Sequence, residues 1–140
     1  MFWKEVKQYS FFWFIGGSLY YFFEILFRGF SHISMFILGG ICMDFFVFQG
    51  KISKWKEPIW KQVIRGTLFI ISGEFITGII VNKWLGLKVW DYSDQPLHLW
   101  GQICLPFAVI FSGLCAMGIL LSGYLLCWIF HEEKPKFHVL

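Results

Sequence analysis

Residues 105–130 read LPFAVIFSGLCAMGILLSGYLLCWIF, twenty-six positions without an Asp, Glu, Lys, Arg or His. A helix rising about 1.5 Å per residue needs about 20 mostly apolar residues to cross the hydrocarbon core of a bilayer. This run can therefore span with some tilt, and Pro106 suits a first helical turn, where its missing N–H costs little. Three more apolar runs lie upstream. The first, 9–28, ends at Arg28-Gly29; the second, 30–48, ends at Gln49-Gly50; the third, 63–82, ends at Asn82-Lys83. The expected fold is an all-α integral membrane protein with four transmembrane helices, forming a single membrane domain over residues 1–140.

Composition agrees. The chain is 57% hydrophobic and 15% charged, with 18 Phe and 8 Trp. Soluble domains carry roughly 25% charged residues, and a 140-residue globule has too little interior for so many aromatics. A soluble enzyme, a disordered tail and a nucleic-acid-binding domain are excluded as classes. The basic stretch 51–65, KISKWKEPIWKQVIR, interleaves Lys with Trp55 and Trp60. It reads as a juxtamembrane segment with these aromatics as interface anchors and an attraction to anionic lipid, not as a nucleic-acid patch. Cys42, Cys104, Cys115 and Cys127 have neither disulfide nor metal-ligand spacing and read as small buried hydrophobes. Lys4 and Lys7 precede the first run with no cleavage site of small residues, which fits an uncleaved anchor.

Four spans put the N-terminus, the 49–62 loop and the C-terminal tail on one side. That side carries nine Lys and Arg residues against Arg28, Lys83 and Lys88 on the other, so both termini are expected in the cytoplasm. The segment 83–104 is too polar to span. Trp84, Trp90 and Trp100 suit an interface, and Asp91 to Pro96 is rich in turn formers. An extracytoplasmic interfacial or re-entrant loop is expected. The tail after Phe130, with His131 and His138, reads as solvated.

Glu24, Asp44 and Glu74 fall inside apolar runs. A charge at the centre of a spanning helix costs about 2.5–3.5 kcal/mol on insertion scales, so such groups turn inward and find partners. Glu24 can pair with Arg28 one turn later. Asp44 can reach water at the cytoplasmic end. Glu74, Gly78 and Asn82 form a small and polar stripe that reads as a helix–helix seam. Glu24, Arg28, His32, Glu74, Asn82, Asp91, Tyr92 and Gln102 thus gather in the outer half of the molecule or its loop. Two readings stand: a satisfied polar network locking the loop to the bundle, or an outward-facing cavity for an ion, a small solute or a lipid headgroup. No nucleophile, metal-ligand set, cofactor motif or Walker A sequence accompanies them, so neither an enzyme nor a metal or cofactor site is expected. Gly16-Gly17, Gly39-Gly40, Gly66 and Gly73 mark close helix approaches, as do the pairs Ser112/Ala116 and Gly118/Ser122.

The stretches Arg28-Gly29-Phe30-Ser31-His32-Ile33-Ser34-Met35, Val89-Trp90-Asp91-Tyr92-Ser93 and Gly101-Gln102-Ile103-Cys104-Leu105, with Glu74, Gly78 and Asn82, resemble the ABC-transporter type IV (CmpB-like) family of small bacterial membrane proteins. The resemblance covers about Glu24 to Leu105. It implies a multi-pass protein of the bacterial cell membrane, labelled a permease, and carries the motif positions Glu24, Arg28, His32, Glu74, Asn82, Trp90, Asp91, Tyr92, Gln102 and Cys104. His98 stands where that family pattern leads one to expect asparagine. The resulting expectation is a permease-like or transport-associated subunit in the lipid bilayer, working as a homo-oligomer or with a partner membrane subunit. The alternatives are a structural or regulatory protein that binds another membrane protein or lipid, and a holin-like pore former.

Overall fold

The computed structural model describes the chain except Met1, Phe30, Val89, Tyr92, Glu133, Lys134, Lys136 and residues 138–140, together with the side chains of Phe27 and Arg28. Two residues expected at the site, Tyr92 and the side chain of Arg28, therefore lie outside the described residues. Among the described residues the chain forms four α-helices: α1 (Phe2–Arg28), α2 (Ile33–Ser53), α3 (Ile59–Gly78) and α4 (Leu105–Phe130). A π-helical turn, Ile79–Trp84, extends α3. The fold is all-α; among the described residues one isolated backbone bridge, Leu99 to Ile103, lies inside the long loop. Ile33–Ser53, Ile59–Trp84 and Leu105–Phe130 are each long and apolar enough to cross a membrane. The first helix is not among these three, which rest on the described residues alone; its length of 27 residues suffices for a span.

The helix ends follow local chemistry. Gly29, at φ +81°, stops α1, and its N–H donates to Ile25 O at 2.8 Å. This is the left-handed cap that glycine adopts without a Cβ clash. His32 caps the start of α2: its Nδ1 accepts from the Ser34 N–H at 3.1 Å. Lys54, in the left-handed region, ends that helix. Pro106 sits in the first turn of α4, as the sequence suggested.

The four helices alternate in direction. Lys4 Nζ meets Glu132 at 3.2 Å just past α4, and Lys51 Nζ at the end of α2 meets Glu5 at 3.0 Å. Both contacts lie at one end of the molecule, here the terminus end, with the α2–α3 turn. The α1–α2 turn and the 85–104 segment form the opposite, loop end. α1 and α2 pack antiparallel along nearly their whole length through paired glycines. A Cβ on Gly40 would lie 2.6 Å from Trp13 O, one on Gly17 2.6 Å from Phe36 O, and one on Gly39 2.8 Å from Gly16 O. Only hydrogen at these positions lets the two backbones approach so closely. Beside this stripe of α2, Phe46 fills notches at Gly66 of α3 and Gly118 of α4, and Phe45 stacks on Phe69 at 4.2 Å. The sequence glycines thus serve packing within the chain.

The apolar side chains that these contacts leave over point outward. Leu68 and Ile76 of α3 and Val109, Met117 and Trp128 of α4 are all exposed. An apolar surface around nearly the whole bundle is stable in lipid and not in water.

Two expectations at the terminus end are corrected. Trp55 is not an interface anchor: it is buried, its ring lying over Gly50 and edge-on to Phe137 at 5.6 Å. The tail is not simply solvated either, since Pro135 is buried and Phe137 packs on Gly123 and Tyr124. Burying these rings offsets the cost of ordering the tail.

Candidate functional site

At the loop end, Gly78 and Asn82 of the α3 stripe meet the loop, while Glu74, deeper on the same stripe, meets α1. Gly78 lies under the side chain of Gln102, where any Cβ would collide with Oε1. Asn82 Nδ2 donates to the same Oε1 at 2.8 Å, and Gln102 Nε2 donates to Trp100 O at 2.8 Å. Trp90 closes the circuit. Its backbone N–H donates to Asn82 Oδ1 at 3.3 Å and its indole N–H to Gln102 O at 2.9 Å. The π-helical turn contributes to this placement. Leu85 N donates to Ile80 O at 2.9 Å, and Leu87 N to Val81 O at 3.0 Å, spacings of five and six residues. The wider turn carries Asn82 into reach of the loop, a use of π geometry common where a helix must present a side chain.

Trp90 is accordingly buried, which corrects its expected place at an interface; Trp84 and Trp100 are exposed as expected. Asp91 is exposed and stays within the loop. Its Oδ1 accepts from the Ser93 N–H at 2.9 Å and from the Ser93 hydroxyl at 2.7 Å. These bonds, the hydroxyl's first, hold its carboxyl below the ordinary range, with smaller help from Lys83 and His98. His98 Nδ1 accepts from the Gly101 N–H at 3.1 Å, an internal loop contact. His32 is engaged as the α2 cap, and its Nδ1 also lies 2.8 Å from Ser34 Oγ.

One turn deeper than Gly78 on the same face of α3 is Glu74, with 1% of its surface exposed. Tyr20 of α1 donates its phenolic hydrogen to Glu74 Oε1. Glu24, also buried, stands one turn beyond Tyr20 on the same face of α1. The structure thus brings Tyr20 and Glu74 together, and separately Asn82, Gln102 and Trp90. Asp91 and His32 make their described bonds elsewhere. Tyr20 was missed in the sequence, although its spacing of four from Glu24 put it on the same helical face as a buried acid.

Beside the Tyr20–Glu74 pair an apolar crevice of about 470 Å³ opens between α1, α2 and α4. At the terminus end, Asp44 lies half-buried in a shallow open pocket with Tyr9, Ser10 and Trp13. Among the described residues no group of three His, Cys, Asp or Glu side chains could hold a metal ion. Cys42, Cys104 and Cys115 are buried free thiols, and Cys127 is half-buried.

The family model described as "Putative ABC-transporter type IV" matches residues 8–139. The chain belongs to this family. No curated protein and no solved structure matches the chain. The family and the apolar helices together make this a multi-pass membrane protein associated with transport.

Proposed function

We propose that the chain is a permease-like subunit whose solute site is built on the buried Glu74 and Tyr20, with Glu24 one turn further toward the loop end. The observation that carries this reading is a carboxylate held by a phenol from another helix, inside a helix able to cross a membrane. Such groups are costly at that depth and mark solute or ion pathways. The antiparallel packing of α1 along α2 supports α1 as a fourth span: a helix sealed to a spanning partner along its length shares its solvent. With four spans, the nine-to-three Lys and Arg asymmetry supports cytoplasmic termini in a bacterial cell membrane. Four helices leave little room for a conduit, so the subunit works with further copies or with a partner membrane protein. It performs no catalysis of its own.

A second reading, a structural or regulatory membrane protein, is favoured by the Asn82–Gln102–Trp90 circuit, which locks the loop onto α3. Flux separates the two. Proteoliposomes of the full chain should pass Na⁺, K⁺ or tetramethylammonium above empty vesicles, and a folded Glu74→Gln protein should pass that solute at least tenfold more slowly. Equal flux from both folded proteins, or none above empty vesicles, counts against the transport reading.

A further inference from the structure

The crevice beside Glu74 has a chemical character of its own. It is lined by Tyr20 and Phe23 of α1, Phe46 of α2, and Phe111, Tyr124 and Trp128 of α4. Its volume of about 470 Å³ lies within the range of about 300–1,000 Å³ typical of small-molecule sites. Two observations tie it to the acid. Tyr20 belongs to both places, its ring in the wall and its hydroxyl on Glu74. Ile70, which also lines the crevice, precedes Glu74 by one turn on the same face of α3.

Aromatic faces carry negative electrostatic potential and attract cations, most strongly when water is excluded. Glu74 does not line the cavity, but it stands behind the Tyr20 wall, joined to it by the Tyr20 hydroxyl, and a carboxylate there has the same preference. An acyl chain would gain from the apolar walls but nothing from the acid, and a lipophilic anion would be repelled by both.

We infer that the crevice binds a lipophilic organic cation, a quaternary or protonated nitrogen or a phosphonium on an aromatic or aliphatic body, with Glu74 as its counter-charge. The apolar body lies between α1 and α4 and enters from the side, where Leu19 and Met117 flank the opening and are both exposed. The Tyr20 hydroxyl is shared with, or displaced from, Glu74 as the cation arrives. This deepens the transport reading by naming the class of solute that its site takes.

The test is equilibrium dialysis of labelled tetraphenylphosphonium against the full chain in mild detergent, with protein-free micelles subtracted. Tetraphenylborate, of the same shape and opposite charge, serves as the control. Saturable phosphonium binding is expected, at least tenfold tighter than borate binding. Glu74→Gln should weaken it at least tenfold. Met117→Trp, which narrows the opening and leaves the acid in place, should weaken it as well. Equal binding of both ions assigns the crevice to an uncharged occupant such as an acyl chain and overturns the proposal. So does saturable binding of neither ion, or unchanged phosphonium binding by folded Glu74→Gln. If that variant does not fold, the two ions on the native chain and the Met117→Trp protein decide. Phosphonium binding without Glu74-dependent flux would remove the transport reading and leave the ligand class; flux of another solute without phosphonium binding would do the reverse.

Discussion

The two ends of the molecule treat buried amides in opposite ways. At the loop end, Gln102 uses both ends of its side chain: Oε1 accepts from Asn82 and Nε2 donates to Trp100 O. At the terminus end, Gln8, Gln49 and Gln62 are all buried, yet Gln8 Nε2, Gln49 Oε1 and Gln62 Oε1 have no hydrogen-bond partner among the described residues. Their remaining bonds are serviceable. Lys51 donates to Gln8 Oε1, Gln49 Nε2 donates to Gln62 O at 3.3 Å, and Gln62 Nε2 donates to Glu57 O at 3.1 Å. The difference lies in what each end must hold. The loop end must fasten the long 85–104 segment onto a bundle, and only directional bonds fix such a segment. The terminus end is fastened by Trp55 on Gly50 and Phe137 on Gly123, apolar contacts that make no demand on amides. A half-used polar group adds little to stability, whereas a fully used one is expensive to lose.

That contrast predicts unequal responses to the same chemical change. Gln102→Leu removes one acceptor and one donor at once, breaking the bonds from Asn82 Nδ2 and to Trp100 O. At about 1–3 kcal/mol for each of the two groups that lose a bond, the expected loss is about 2–6 kcal/mol. Denaturant titration in detergent should read it, accompanied by a red shift as Trp90 leaves its buried position. A loss under about 1 kcal/mol with Trp90 unshifted would mean that the circuit is not what fastens the loop. Gln62→Leu makes the same replacement at the other end. It gives up the bond to Glu57 O but also removes an unpartnered Oε1 from the interior. Its expected effect is within about 1 kcal/mol of zero, with either sign. If it equals Gln102→Leu, the comparison between the two ends fails.

The sequence exposes apolar surface more clearly than it exposes partnership. Leu105–Phe130 is legible to the residue because Pro106 marks its first turn and His131-Glu132 follow its last apolar residue. α1 begins at Phe2 and not near Tyr9, because composition marks where lipid begins while the helix continues into the charged layer, where Lys51 reaches Glu5. Glu74, Asn82 and Gln102 stand out as polar residues at or near membrane depth. Their division into two groups does not, since Gln102 reaches Asn82 only because a π-turn and the loop converge. Trp84, Trp90 and Trp100 look alike in sequence. Only the fold shows that the Trp90 indole N–H has a buried carbonyl to meet. Tyr20, one aromatic among many on α1, is disguised by its abundance.

The smallest effect expected is at Asp91, and it separates titrating from non-titrating fastenings within the loop end itself. The folded carboxyl lies below its ordinary value because the charged form accepts two bonds from Ser93. A depressed folded value contributes stability that is complete above the unfolded pKa of about 3.9 and is lost as pH falls through the folded value. The Asn82–Gln102–Trp90 circuit contains only amides, an indole and backbone groups, none of which titrates there. Hydrogen exchange corrected for intrinsic rates should therefore show protection at the Ser93 amide that is flat from pH 7 to about pH 5 and declines below about pH 4. Protection at the Gln102 amide, which donates to Leu99 O at 3.1 Å, should stay level across the same range. Asp91→Asn retains an oxygen acceptor and loses the titration, so the Ser93 decline should disappear while its protection at neutral pH falls by no more than a few-fold. If the Gln102 amide instead declines in step with Ser93, the turn and the circuit open as one unit. The exposed acid would then share in fastening the loop, and the satisfied amides would owe part of their protection to a group that lies outside the circuit.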